Sequence, residues 1–158
     1  MIAETLGLTS FNPVPHLVAL LVAYVLALPI GWNRERAERS AGLRTFPLVA
    51  IAACGFVQAA ESVTVGSPEA VARIVEGVIV GMGFIGGGAI LKSGESVRGT
   101  ATAASLWVTG AMGLAVGLGQ VDVAVILSLV TALTLYLLSP LKPEERDEET
   151  KPRPPSGT

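Results

Sequence analysis

Five apolar stretches, each about as long as a lipid bilayer is thick, constrain the fold of this chain more than any other feature. They cover residues 16–32, 43–60, 73–91, 101–119 and 121–138. A helix needs about 20 mainly apolar residues to cross a hydrocarbon core of roughly 30 Å. Five strands of this length could not close a barrel, and an open sheet would leave backbone groups unbonded in lipid. The sequence therefore predicts an all-α, polytopic membrane bundle of about five transmembrane helices.

The composition agrees with a membrane protein of one domain. Hydrophobic residues make up 51% of the chain, charged residues only 15%, and the mean hydropathy is +0.60. A soluble domain is nearer to 25% charged. We predict a transmembrane domain over residues 1–139. Residues 140–158 are rich in proline and mixed charges and have little to bury, so we expect a disordered cytoplasmic tail there.

The distribution of positive charge predicts the orientation. Of the 11 Lys and Arg residues, ten follow the first, third or fifth apolar stretch, and only Arg73 lies on the opposite side. Because positive charge stays in the cytoplasm, we expect the N-terminus outside and the C-terminus inside. The predicted location is the bacterial inner (plasma) membrane, crossed several times.

The segment GMGFIGGGAI, residues 81–90, contains glycines at the spacing of a dinucleotide-binding loop. Such a loop follows a strand and needs an acidic residue about 20 positions further on. Here the glycines lie inside a long apolar run, and the later segment TATAASLWVT has no acid. The sequence therefore argues against a dinucleotide site, and we expect no cofactor.

The glycines instead favour close helix packing, because small residues let membrane helices approach each other. At 100° per residue they form two stripes on the third stretch and one on the fourth, so we expect these two helices to pack together. The alternative is that Gly86–Gly88 breaks the helix and exposes backbone groups to a ligand. The predicted helix-packing residues are Gly77, Gly81, Gly83, Gly87, Gly88, Gly110, Gly113 and Gly117.

Glu76 is an intramembrane carboxylate on the same stripe as Gly83 and Gly87. A carboxylate that faces a helix contact is a functional candidate. Equally well, Glu76 could be an interfacial residue paired with nearby Arg73. The other acids near the spans, Glu35 and Asp122, lie on opposite sides, so a carboxylate cage for Mg²⁺ is not indicated, and metal ligands stay unassigned.

Four motifs in a fixed order resemble the MgtC/SapB family of bacterial membrane proteins. They are GWNRER at 31–36, AGLRT at 41–45, GMGFIGGG at 81–88 and TATAASLW at 100–107. The resemblance covers residues 16–138. It implies an inner-membrane protein linked to magnesium homeostasis and growth at low magnesium.

The chain departs from that family pattern in two places. Asn33 stands where the family usually has Glu in its G-x-E-R motif, so an acidic role there does not carry over. Many members also carry a soluble domain after the fifth span, whereas this sequence continues as a short tail. The resemblance is therefore to a short form, and regulation through a C-terminal domain is not implied.

With the predicted topology, these motifs meet at the cytoplasmic ends of the helices. Cations, a helix N-terminus and hydroxyl groups there could bind an anion or a partner. The alternative is ordinary anchoring to anionic lipid head groups, with Thr100 or Thr102 capping a helix. The candidate site consists of Arg34, Glu35, Arg44, Thr45, Lys92, Arg98, Thr100 and Thr102.

Two functions remain open from the sequence. The first is a regulatory protein that binds another membrane component, and the second is a transporter or channel for magnesium or another ion. The few polar residues inside the spans favour the first. An enzyme is not expected, because His16 is the only histidine and Cys54 the only cysteine. The expected partners are the lipid bilayer, another membrane protein or a second copy of the chain, and not nucleic acid.

Overall fold

The computed structural model describes residues 12–38, 41–93 and 96–138. A two-stranded antiparallel hairpin connects the fourth helix to the fifth and consists of β1 (Leu91–Ser93) and β2 (Ser96–Arg98). The tail predicted over residues 140–158 lies outside the described residues. The helices are α1 (Pro13–Glu38), α2 (Thr45–Ala59), the short α3 (Glu61–Thr64), α4 (Pro68–Gly88), α5 (Thr100–Gly117) and α6 (Val121–Leu138).

All five apolar stretches are helical, as predicted. Four of the helices, α1, α4, α5 and α6, are long and apolar enough to cross a membrane. The remaining apolar helix, α2, has 15 residues and is therefore only about 22 Å long. Its buried positions recur along its whole length, from Phe46 to Val57. Helix α2 is thus covered by neighbouring helices over much of its surface, chiefly α1 and α5.

Helix α5 lies at the centre of the bundle and packs against α1, α2, α4 and α6. Three of its glycines make this close packing possible. A Cβ added at Gly110 would meet the side chain of Met82 in α4, and one at Gly113 would meet the carbonyl of Ala50 in α2. A Cβ at Gly117 would meet Val57, also in α2. The third and fourth apolar stretches therefore pack together, as the sequence predicts.

These contacts also determine the helix directions. Gly113 lies against the middle of α2 and Gly117 against its last turns, so α2 and α5 run parallel. Helix α1 is antiparallel to α2, since Gln58 near the end of α2 donates to the carbonyl of His16 near the start of α1. The α1–α2 and α4–α5 connections therefore lie at one end of the bundle. We call it the basic end, because it carries Arg34, Arg44, Lys92 and Arg98.

Two local features differ from the sequence prediction. Helix α1 continues past residue 32 to Glu38, because the segment NRERAE is rich in strong helix formers. The hairpin was not predicted at all. Its signal is a glycine, Gly94, between two short runs that each hold an apolar residue, a pattern too short to stand out among charged residues.

The glycine stripes of α4 do not pack within the chain. Helix α4 turns Val75, Val78, Met82 and Gly86 toward the bundle, and the two glycine stripes lie roughly 120° to either side of this row at about 100° per residue. The helix also continues through Gly86, so the alternative of a break is not realised. Among the described residues, no atom of another helix lies within 4 Å of a Cβ placed at Gly77, Gly81, Gly83, Gly87 or Gly88.

Candidate functional site

The first predicted site residue at the basic end, Arg34, is buried rather than presented to a ligand. Its side chain is only 5% exposed. Both Nε and Nη2 donate to Oδ1 of Asn33, at 3.2 and 2.7 Å, and Asn33 is itself buried. Because a buried guanidinium needs acceptors for its donors, this pair forms part of the interior of the bundle.

Glu35 organises the turn between α1 and α2. Its Oε2 accepts a hydrogen bond from the backbone N–H of Leu43, at 3.0 Å. The Glu35 side chain lies so close to Gly42 that any Cβ at that position would overlap it. The Gly42 carbonyl in turn accepts from the N–H groups of Thr45 and Phe46, at 3.0 and 3.1 Å. The predicted site residues Glu35 and Thr45 therefore belong to a local backbone arrangement that starts α2.

The remaining cations are exposed. Arg44 precedes α2, and Lys92 and Arg98 lie in the hairpin. In the hairpin, Lys92 pairs with Val97 and Leu91 with Arg98. Since neighbouring residues of a strand point to opposite faces, Lys92 and Arg98 lie on opposite faces of the hairpin. They are not arranged to hold one small anion together.

The two threonines of α5 have different surroundings. Thr100 is exposed, whereas Thr102 is completely buried. The capping role considered for Thr100 or Thr102 is not seen, because the N-cap is Gly99 and no side chain caps this helix. Gly99 has φ +86°, and a Cβ there would overlap the carbonyl of Ala89. A glycine is needed at this position for both reasons.

The eight predicted residues therefore do not form one site. Arg34 and Thr102 are interior, and Glu35 and Thr45 shape a turn, while the exposed cations and Thr100 form a polar surface at the basic end. Asn33 was not predicted as the acceptor for Arg34, although it departs from the G-x-E-R pattern. Nearby, the Arg36 guanidinium lies 4.8 Å from the Trp32 ring centre, an arrangement suited to a membrane interface.

Three hydroxyl groups inside the bundle donate to backbone carbonyls. Ser105 donates to Ala101 at 2.7 Å, and Thr109 donates to Ser105 at 2.8 Å. Ser128 of α6 donates to the carbonyl of Leu26 in α1, also at 2.7 Å. These hydroxyl groups thus serve helix backbones and the contact between α1 and α6.

The predicted carboxylate Glu76 is exposed on the outward side of α4. The expectation that it faces a helix contact is therefore wrong for the single chain, because α4 turns the row of Val75, Val78 and Met82 inward instead. In the part of the chain that the structure describes, no three His, Cys, Asp or Glu side chains come together as metal ligands.

Comparison with known proteins identifies relatives over most of the chain. "Protein MgtC" of Salmonella typhimurium is 37% identical over 124 residues, which are 78% of this chain and 52% of that protein. "Protein MgtC" of Brucella abortus is 37% identical over 83% of this chain and 55% of its own length. "Protein SrpB" of Synechococcus elongatus is 40% identical over 73% of this chain and 70% of its own length.

The chain spans about half the length of the MgtC proteins that it matches. No solved structure matches it. The model of the MgtC family matches residues 20–143, which include the buried Asn33–Arg34 pair, the Glu35–Gly42 turn, the glycines of α4 and the close-packed α5. With four helices able to cross a membrane, this protein is a membrane protein and belongs to the MgtC family.

Proposed function

We propose that this protein lies in the bacterial inner membrane and supports adaptation to low magnesium by binding or regulating another membrane component. In this proposal it is not an enzyme and does not itself move magnesium. The orientation is the one that the charges favour, with the basic end in the cytoplasm. The magnesium link comes from the resemblance to the MgtC/SapB family.

The observation that carries this proposal is how the interior of the bundle is filled. A path for ions needs polar groups that are available to replace water around the ion. Here the buried hydroxyls of Ser105, Thr109 and Ser128 each donate to a backbone carbonyl, so their orientation is set by contacts within and between the helices. The glycines of α5 also bring its backbone into direct contact with α2 and α4. These features support a binding surface over a conduit through the bundle.

The surface that could receive a cytoplasmic partner is the basic end. Lys92, Arg98 and Thr100 are exposed there, and the hairpin presents its two cations on opposite faces. A large partner such as another protein could therefore contact both faces of the hairpin, whereas a small anion could not. Exposed charges at a protein–protein interface contribute mainly to the rate of association and to specificity.

Two measurements test the proposal together. The gene should restore growth at low magnesium to a bacterial strain that depends on an MgtC-family protein, while purified protein in liposomes should give the same magnesium flux as empty liposomes. Lys92→Gln with Arg98→Gln should lose growth support at normal membrane levels, and Arg73→Gln at the other end is the matched control. Protein-dependent flux in liposomes would establish the alternative, an ion transporter.

A further inference from the structure

We propose that the groove between α2 and α4 binds an anionic phospholipid, with one acyl chain in the groove and the phosphate at Arg44. The groove has a volume of about 830 Å³. Arg44 is the one charged residue that lines it, at one end. The rest of its lining is almost entirely apolar and includes Leu48, Ala52, Phe56, Gly77, Gly81 and Ile85.

The groove lies between two helices that pack together near one end. Ala53 and Val57 of α2 pack with Ile74 and Val78 of α4, close to the point where α3 connects the two helices. Toward the basic end, the two helices line the groove from its two sides, α2 with Thr45 and Leu48 and α4 with Met82 and Ile85. The groove is therefore closed at the end away from Arg44 and open beside it.

The glycines of α4 help to make this space. Gly77 and Gly81 line the groove, and nothing lies within 4 Å of a Cβ placed at either of them. Larger side chains at these two positions would occupy the groove. Gly77 and Gly81 therefore keep the groove open, although they do not pack against another helix of the chain.

Arg44 places a positive charge below the level at which the bundle ends. In the α2–α5 contact, Gly113 lies against Ala50 and Ala53, which puts Arg44 roughly level with Ser105. Helix α5 begins at Thr100, roughly 8 Å further out at 1.5 Å per residue. Among the described residues, no acidic side chain pairs with Arg44. A basic residue at a groove between membrane helices suits a lipid head group, and a lipid phosphate is an anion that the membrane supplies there.

The length of the groove favours a lipid over a transmembrane helix. From Arg44 to Phe56 is about 18 Å along α2, close to half of a hydrocarbon core of roughly 30 Å. One acyl chain of one leaflet has that reach, whereas a helix would need a complementary surface across the whole core. The proposed orientation places this lipid in the cytoplasmic leaflet. The lipid site itself does not depend on that orientation.

Lipid retention by purified protein tests the site. We would titrate the protein in detergent with phosphatidylglycerol or phosphatidylcholine and count bound lipids by native mass spectrometry. Arg44→Gln should weaken phosphatidylglycerol binding about tenfold, as expected when a charge-assisted hydrogen bond is lost. Gly81→Leu and Ala52→Phe, which fill the groove from opposite sides, should reduce the binding of both lipids. Arg73→Gln and Gly83→Leu are the matched controls and should bind as the unchanged protein does.

Three outcomes would overturn the proposal. One is equal phosphatidylglycerol binding by the unchanged protein and Arg44→Gln, and another is full lipid binding by both groove-filling variants. The third is a change in oligomer mass with Gly81→Leu at unchanged lipid binding, which would assign the groove to a second copy of the chain. The readout is lipid binding alone, so it is independent of growth at low magnesium and of ion flux.

Discussion

The carboxylate of Glu35 accepts a 3.0 Å hydrogen bond from the backbone N–H of Leu43, eight residues further along the chain. This contact joins the last turns of α1 to the residues that start α2. It requires Gly42, because any side chain there would overlap Glu35. Part of the AGLRT motif is thus explained by the geometry of the turn.

Gly42→Ala should therefore destabilise the protein, although it adds only one methyl group. The new Cβ would collide with Glu35 near the Cβ and Cδ of that side chain, and overpacking of this kind costs about 1–3 kcal/mol. Thermal unfolding in detergent measures the change. Gly55→Ala is the control, since its Cβ would meet nothing within 4 Å. An unfolding temperature for Gly42→Ala equal to that of the control would contradict this explanation of the turn.

Gly113 and Gly83 should differ sharply in their tolerance of leucine. Gly113 faces the Ala50 carbonyl and the Ala53 side chain in α2, whereas the position of a Cβ at Gly83 is open. Gly113→Leu should lower the yield of folded protein in detergent, and Gly83→Leu should not. Size-exclusion chromatography at matched expression measures this. Loss of folded protein with Gly83→Leu would indicate that this face packs against another chain.

Much of the fold follows from the sequence because apolar length decides it. Five apolar stretches predicted five helices, and observed boundaries such as Val121–Leu138 agree with the prediction. Which face of α4 turns inward could not be predicted in the same way. Both the glycine stripes and the row of Val75, Val78 and Met82 are apolar, so apolarity does not decide between them. The row faces the bundle because of the position of α4 beside α5.

The candidate site was harder to predict than the fold. The charge pattern placed Arg34 and Arg44 at one end of the bundle, and the contacts between helices put both of them there. Sequence spacing gave no way to tell that Arg34 is buried while Arg44 is exposed. Arg34 lies in the part of α1 that continues beyond the apolar stretch, whereas Arg44 precedes α2. Burial at these positions depends on which helices pack against them, and spacing along the chain does not give that.

The hydrogen bond between α6 and α1 should make a small but measurable contribution to stability. Ser128 is 4% exposed and donates to the Leu26 carbonyl at 2.7 Å. Such bonds between membrane helices contribute about 0.6 kcal/mol on average and about 1.7 at most. Ser128→Ala should lower the free energy of unfolding by an amount in this range. Thr134→Ala is the control, because Thr134 donates to the Val130 carbonyl of its own helix. An equal loss of stability with Thr134→Ala would show that the Ser128 bond does not stabilise the contact between α1 and α6.

The proposed orientation predicts which loops are reached from outside the cell. In a Cys54→Ala background, a membrane-impermeant thiol reagent applied to spheroplasts should label Val65→Cys and leave Thr100→Cys unlabelled. Val65 is 80% exposed at the end away from the basic residues, and Thr100 is exposed at the basic end. Both cysteines should react once the membrane is permeabilised. Labelling of Thr100→Cys in intact spheroplasts would reverse the orientation.

Arg34 and Arg44 should respond differently to lysine, because one is buried and the other exposed. Arg34 directs Nε and Nη2 at the same Asn33 oxygen, and a lysine has no second donor in that planar geometry. Hydrogen bonds to charged groups contribute about 1.5–3 kcal/mol, so Arg34→Lys should unfold at a lower temperature, close to that of Arg34→Ala. Arg44→Lys keeps its charge at an open position and should fold normally. Both are scored by thermal unfolding in detergent at matched purity. If Arg34→Lys unfolds like the unchanged protein, the Asn33–Arg34 pair does not stabilise the bundle, and Arg34 returns to the list of candidate ligands for an anion.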